Sequence, residues 1–94
     1  MTRRTFNGKT IVVTGAASGL GRALANRFAN SGASIAALDT NGSGLEQLRR
    51  ELEFDGGTCI ALPCDVTEAE GCQLAIEATE RRFGSIDVLI NNAG

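Results

Sequence analysis

Gly15, Gly19 and Gly21, within "TGAASGLG" at residues 14–21, have the spacing that points most directly to chemistry. They follow a short apolar run, "TIVVT", and precede a stretch whose apolar residues recur every four positions. A turn of this kind delivers backbone N–H groups at the start of a helix, where unpaired amides and the helix dipole favour a diphosphate. On this reading Gly15 permits the turn, Gly19 lets phosphates approach the main chain, and Gly21 lets helix and sheet pack closely. A glycine-rich loop that caps a helix and holds no ligand is the plainer alternative.

A second strand-like run, "SIAALD", ends in Asp39, 18 residues beyond Gly21. A carboxylate at that strand end can accept both hydroxyls of an adenosine ribose. It favours NAD over NADP, because a 2′-phosphate beside it would set two like charges in contact. The neighbouring "LDTNGSG" offers no lysine or arginine to neutralise them. A turn aspartate bonding its own backbone is the alternative. A nucleoside-triphosphate loop is disfavoured, since no Gly-Lys-Ser/Thr ending occurs and Lys9 lies upstream of the strand. A methyltransferase-like fold, with a sulfonium cofactor and no phosphates, shares the same strand-end geometry and stays open.

Acid–base chemistry is harder to find. Reducing a carbonyl by hydride transfer needs a proton donor poised near neutrality. The chain has no tyrosine or histidine, and its single lysine, Lys9, precedes the first strand. Cys59, Cys64 and Cys72 sit in apolar patterns and read as buried thiols of a reducing cytoplasm, neither a disulfide framework nor nucleophiles. A zinc site would need all three thiols plus a carboxylate, at spacings unlike a metal knuckle. No catalytic residue and no metal ligand is assigned.

The elements that must position these residues follow from periodicity. Thr10–Thr14 lacks polar alternation, as expected of a strand covered on both faces. From Leu20 to about Ala29, Leu20, Leu24 and Phe28 form a helix stripe, with Arg22, Asn26 and Arg27 on the remaining surface, and "NSGA" closes it. "SIAALD" is the second strand, and "NGSG" punctuates before a stripe of Leu45, Leu48 and Leu52 that "DGG" ends. "TCIALP" is the third strand. Thr67 and Glu70 suggest a capping box, ahead of a third helix lined by Cys72, Ile76, Thr79 and Phe83 and stopped at Gly84. "IDVLIN" is the fourth strand. The first seven residues read as a loose lead-in, and the Asn-Gly pairs at 7–8 and 41–42 as loops. Such alternation argues a parallel sheet with helices on both faces and right-handed crossovers.

Composition narrows the class. Ninety-four residues, 43 % hydrophobic, fit one compact unit with a real core. Nine basic and eleven acidic side chains sum to −2, which leaves no electrostatic footprint for nucleic acid or membrane. The pairs Arg3–Arg4, Arg49–Arg50 and Arg81–Arg82 read as solvated faces. No 18-residue apolar run exists, and no secretory apolar core follows the basic N-terminus.

"TGAASGLG", "CDVT" at 64–67 and "NNAG" at 91–94 together resemble the short-chain dehydrogenase/reductases, whose glycine motif is Thr-Gly-x-x-x-Gly-x-Gly. The resemblance implies a three-layer Rossmann-type α/β fold, present in part as four strands in the order 3-2-1-4 with three helices. It implies that residues 1–94 are the N-terminal portion of one dinucleotide-binding domain, cut after the fourth strand. Carried over by position, Thr14 would brace the turn, and Ser18 and Leu20 would lie within the phosphate loop with Gly15, Gly19 and Gly21. Asp65 would approach the adenine amino group and Val66 the ring edge, although Asp65 also suits a helix-capping acid. Asn91, Asn92, Ala93 and Gly94 would brace the sheet and line the ribose path; turn-forming asparagines are the alternative for the first two.

The implied parent is a cytoplasmic, homo-oligomeric oxidoreductase moving hydride between a nicotinamide cofactor and an alcohol or carbonyl substrate. The 94 residues alone are expected to be inactive and, with "VLI" exposed at a sheet edge, to aggregate, self-associate or stay partly molten. The competing expectation is a non-catalytic nucleotide-binding or regulatory piece acting through a partner.

Overall fold

The computed structural model describes residues 5–93. Strands β1 (Thr10–Thr14), β2 (Ser34–Asp39), β3 (Thr58–Pro63) and β4 (Val88–Ile90) alternate with helices α1 (Gly19–Asn30), α2 (Gly42–Phe54) and α3 (Ala69–Phe83). All pairings are parallel, and the strand order is β3-β2-β1-β4. The expected α/β topology is therefore present. Ile11 faces Ile35 and Val88 across the sheet, while Val12 faces Ala36 and Leu89.

Side chains of β1 alternate between two fully buried faces, which is why its sequence is continuously apolar. Ile11 and Val13 join Ile35, Ala37, Leu45, Leu48 and Leu52 on the side of α1 and α2. Val12 joins Ala36, Leu38 and Ala75 on the side of α3. The sheet is thus the middle of three layers.

The leucine stripe of α2 is buried as its spacing predicts. The helix starts earlier than expected, inside "NGSG", because the Asn41 side chain accepts a hydrogen bond from the Gly44 amide at 3.0 Å and caps it. In α1 the expected face is wrong. Gly21, Ala25 and Ala29 are buried, whereas Leu20 is 66 % exposed and Leu24 and Phe28 are half-buried. The cause is proximity: a Cβ on Gly21 would lie 2.1 Å from the Gly15 carbonyl oxygen, so only small side chains fit that face.

The lead-in is also less loose than expected. The Phe6 ring meets Phe28 edge-on at 5.1 Å, and the Phe6 amide donates to the Ser31 carbonyl at 2.9 Å. In α3 the buried residues are Ala75 and Thr79, with Cys72, Ile76 and Phe83 half-buried. The Thr67–Glu70 capping box does not form: Glu68 is the N-cap, without a side-chain cap bond, and the Thr67 hydroxyl donates to Asp65 at 2.6 Å. β4 is shorter than "IDVLIN". Its approach is held by the Asp87 carboxylate, which accepts the Thr10 amide at 2.8 Å, and by the Asp87 amide on the Thr10 carbonyl at 2.9 Å. Leu89 in this edge strand is 59 % exposed. Arg3, Arg4 and Gly94 lie outside the described residues. Among the described residues, no helix is long and apolar enough to cross a membrane.

Candidate functional site

β1 delivers the chain into the glycine turn at Thr14. The Ala16 amide donates to the Leu38 carbonyl at 3.1 Å, and the Ala17 amide to Asp39 Oδ2 at 3.0 Å, so the turn lies over the end of β2. Gly15 and Gly19 have φ of +64° and +55°, the left-handed region where a side chain is disfavoured. A Cβ on Gly19 would meet nothing within 4 Å, so the space on that side of the residue is open. Ser18, the N-cap of α1, makes no side-chain cap bond, and the helix closes its first backbone bond only at the Arg22 amide, 3.4 Å from the Ser18 carbonyl. The amides of Gly19, Leu20 and Gly21 have no acceptor among the described residues. They carry the positive end of the α1 dipole.

Beside the turn, a crevice of about 230 Å³ is lined by Gly15, Asp39, Thr40, Cys64, Asp65, Val66, Thr67 and Ala93. It lies at the carboxyl ends of the strands, next to the point where strand order reverses between β1 and β4. That is where open α/β sheets form their ligand clefts. The Asp39 carboxylate accepts the Ala17 amide on Oδ2 and the Asn41 amide on Oδ1, at 3.0 and 2.9 Å. Each oxygen keeps capacity for a further donor. On Asp65, Oδ1 accepts the hydroxyl and the amide of Thr67, at 2.6 and 2.9 Å. Those two bonds, the hydroxyl's first, hold its carboxyl below the ordinary value of 3.8. Among the described residues, no lysine or arginine lines the crevice.

The 91–93 segment braces the turn from behind. The Thr14 hydroxyl accepts the Ala93 amide at 3.0 Å and is 3.1 Å from Asn91 Oδ1, to which it donates. The Asn92 side-chain amide donates to the Gly15 carbonyl at 3.3 Å. It occupies space that a Cβ on Gly15 or Gly21 would need, at 2.9 and 2.7 Å respectively.

Of the residues singled out from sequence, Gly15, Asp39, Asp65, Val66 and Ala93 meet in one crevice, with Thr14, Asn91 and Asn92 in or beside the bracing layer. Gly19 and Gly21 belong to the adjoining helix start, together with exposed Ser18 and Leu20. Thr40, Cys64 and Thr67 also line the crevice and were not anticipated. The available signal was adjacency, since each neighbours Asp39 or Asp65 or lies two residues away at a strand's carboxyl end. Burial raises the Cys64 thiol, and the nearby Cys72, Asp65 and Asp39 add to the shift. Cys59 is buried in the core, which pushes its thiol up to about 12. Neither thiol is primed as a nucleophile.

The family model for short chain dehydrogenases matches residues 9–94. The chain belongs to the short-chain dehydrogenase family. A D-threitol dehydrogenase of Mycolicibacterium smegmatis is 47 % identical over 89 residues, covering 95 % of this chain and 34 % of that protein. Among solved structures, a hydroxysteroid dehydrogenase from Escherichia coli superposes with a TM-score of 0.93 at 32 % identity, over 97 % of this chain and 39 % of that one. A 3-ketoacyl-(acyl-carrier-protein) reductase from Brucella melitensis, solved in complex with NADH, gives 0.84 at 32 % identity, over 90 % of this chain and 34 % of its own. The chain therefore spans little more than a third of the length of these short-chain dehydrogenases.

Proposed function

We propose that residues 1–94 form the adenosine- and diphosphate-binding part of a short-chain oxidoreductase that uses a nicotinamide cofactor, NAD in preference to NADP. The carrying observation is that the amides of Gly19, Leu20 and Gly21 have no acceptor among the described residues, at a helix start adjoining a crevice whose charged lining residues are two carboxylates. The amides suit a diphosphate, and Asp39 suits the two ribose hydroxyls. A 2′-phosphate would meet Asp39 with no compensating cation in the crevice among the described residues, which supports the preference for NAD. The crevice is smaller than the roughly 300–1,000 Å³ of a drug-sized site, in keeping with holding an adenosine rather than a whole dinucleotide.

When bound, the cofactor supplies hydride-transfer chemistry. The residues of this chain hold and orient it: Gly15 and Gly21 keep turn and helix in contact, Asp39 fixes the ribose, and Asp65 and Val66 border the base. Ser18 and Leu20 flank the phosphates, and Asn91, Asn92 and Ala93 support the turn from the end of β4. The reaction proposed for the whole protein is reversible oxidation of an alcohol to a carbonyl. The names of the relatives span a polyol, a hydroxysteroid and a ketoacyl carrier, and the alcohol–carbonyl pair is what those share. No tyrosine or histidine occurs in these 94 residues, and Lys9 lies exposed ahead of β1, so acid–base catalysis is assigned to other parts of the protein.

Calorimetric titration with NAD, NADP and ADP-ribose tests this reading. Binding of NAD and ADP-ribose ahead of NADP is expected. Tighter binding of NADP, or of a sulfonium nucleoside with no affinity for NAD, would overturn it.

A further inference from the structure

Asp39 does more in this fold than offer a carboxylate to a ligand. Its Oδ2 accepts the Ala17 amide in the middle of the glycine turn, and its Oδ1 accepts the Asn41 amide at the start of α2. Its own carbonyl accepts the Cys64 amide at 3.0 Å, just past β3. One residue thus joins the glycine turn, the start of α2 and the end of β3, leaving only the Ala93 side of the crevice to other contacts. Ala17 is buried, and its Cβ lies only 2.9 Å from where a Cβ on Gly44 would stand, so the turn is pressed against α2 while Asp39 holds it. Ala17 directly precedes Ser18, the N-cap, and no side chain caps the amides that follow.

We propose that Asp39 is a positioning residue for the phosphate-gripping turn as well as a ribose ligand, so that the two halves of the nucleotide site are coupled through the bond from the Ala17 amide. The proposal rests on the nucleotide-binding reading above and adds to it. A residue that only clasped ribose hydroxyls would be irrelevant to a nucleotide without them. A residue that also seats the turn matters to the diphosphate whichever sugar accompanies it.

The test compares ADP with 2′,3′-dideoxyadenosine diphosphate, which keeps the diphosphate and lacks both hydroxyls, in the wild type, Asp39→Ala and Asp39→Asn. Asparagine fills the same volume but has one acceptor oxygen where the carboxylate has two. Asp39→Ala is expected to weaken the dideoxy nucleotide at least about tenfold, as loss of a hydrogen bond to a charged group implies, with Asp39→Asn in between. Unchanged dideoxy affinity, with only ADP weakened, would overturn the coupling. Ligand-free backbone amide spectra provide the second readout. Shifts spreading from Ala17 through Ser18, Gly19, Leu20 and Gly21 in Asp39→Ala support the proposal, and shifts confined to Ala17 and Asn41 refute it. If the wild type binds neither nucleotide, the nucleotide-binding reading fails and these spectra alone decide whether Asp39 seats the turn.

Discussion

Replacing Gly21 with alanine sets two effects of opposite sign against each other. In an exposed helix, alanine in place of glycine stabilises by about 1 kcal/mol. Here the added methyl would lie 2.1 Å from the Gly15 oxygen, 2.8 Å from its carbonyl carbon and 2.7 Å from Asn92 Nδ2. Real Cβ atoms essentially never approach closer than 3.0 Å, so the turn or the helix must move by about 0.9 Å. Two of the three contacts are main chain and cannot swing aside. Overpacking of this kind costs about 1–3 kcal/mol, sometimes more, and Gly21 sits in the first helical turn where the propensity gain is smallest. A net loss of about 2 kcal/mol follows. Urea unfolding should show a lower midpoint at unchanged m-value. Gly19→Ala is the control: its Cβ has open space, and the cost is the left-handed φ of +55° alone, about 1 kcal/mol. A Gly21→Ala protein as stable as the wild type, or more so, would refute the close contact between α1 and the turn.

Thr14→Val keeps the shape of a buried side chain but removes the hydroxyl that joins Ala93 and Asn91, so a loss of about 1–2 kcal/mol in urea unfolding is expected, and no loss would count against the brace. Cys59, buried and with its thiol pushed up to about 12, should resist iodoacetamide in the native protein at pH 8, where the thiol form dominates. Peptide mapping by mass spectrometry should find it labelled only after unfolding, and rapid native labelling would contradict its burial. Asp65 has a depressed folded pKa, so the stability it contributes is present above its ordinary value of 3.8 and is lost as pH falls through the folded value. Asp65→Asn should therefore flatten the acid limb of a stability–pH curve below about pH 4, and an unchanged limb would show that the Thr67 bonds do not favour the ionised form.

The layer architecture was legible because burial on both faces forces continuous apolar runs. "TIVVT", "SIAALD" and "TCIALP" match β1, β2 and β3 residue for residue. Gly32, Gly56 and Gly84, at the ends of the three helices, all have positive φ, so the expected helix stops also hold. The missed features depend on distance between segments, which spacing alone does not encode. Leu20, Leu24 and Phe28, four apart in α1, suggested the inward face, yet the approach of Gly21 to Gly15 selects glycine and alanine for that role. Thr67 and Glu70 have the spacing of a cap, but the Asp65 carboxylate two residues back is the nearer partner for the threonine hydroxyl. Thr40, Cys64 and Thr67 share a crevice only because parallel pairing aligns the ends of β2 and β3, with Asp39 opposite Pro63. The helix start, its neighbouring acid and the wall residues Asp65, Val66 and Ala93 were legible, whereas Thr40, Cys64 and Thr67 were not.

The most direct measurement is a titration of ¹⁵N-labelled protein with NAD and then NADP, following each backbone amide. The account predicts the largest shifts at Gly19, Leu20 and Gly21, with Asp39 and Thr40 moving alongside them and saturation at lower NAD than NADP concentration. Shifts that leave those three amides unmoved, or saturation first by NADP, would contradict it.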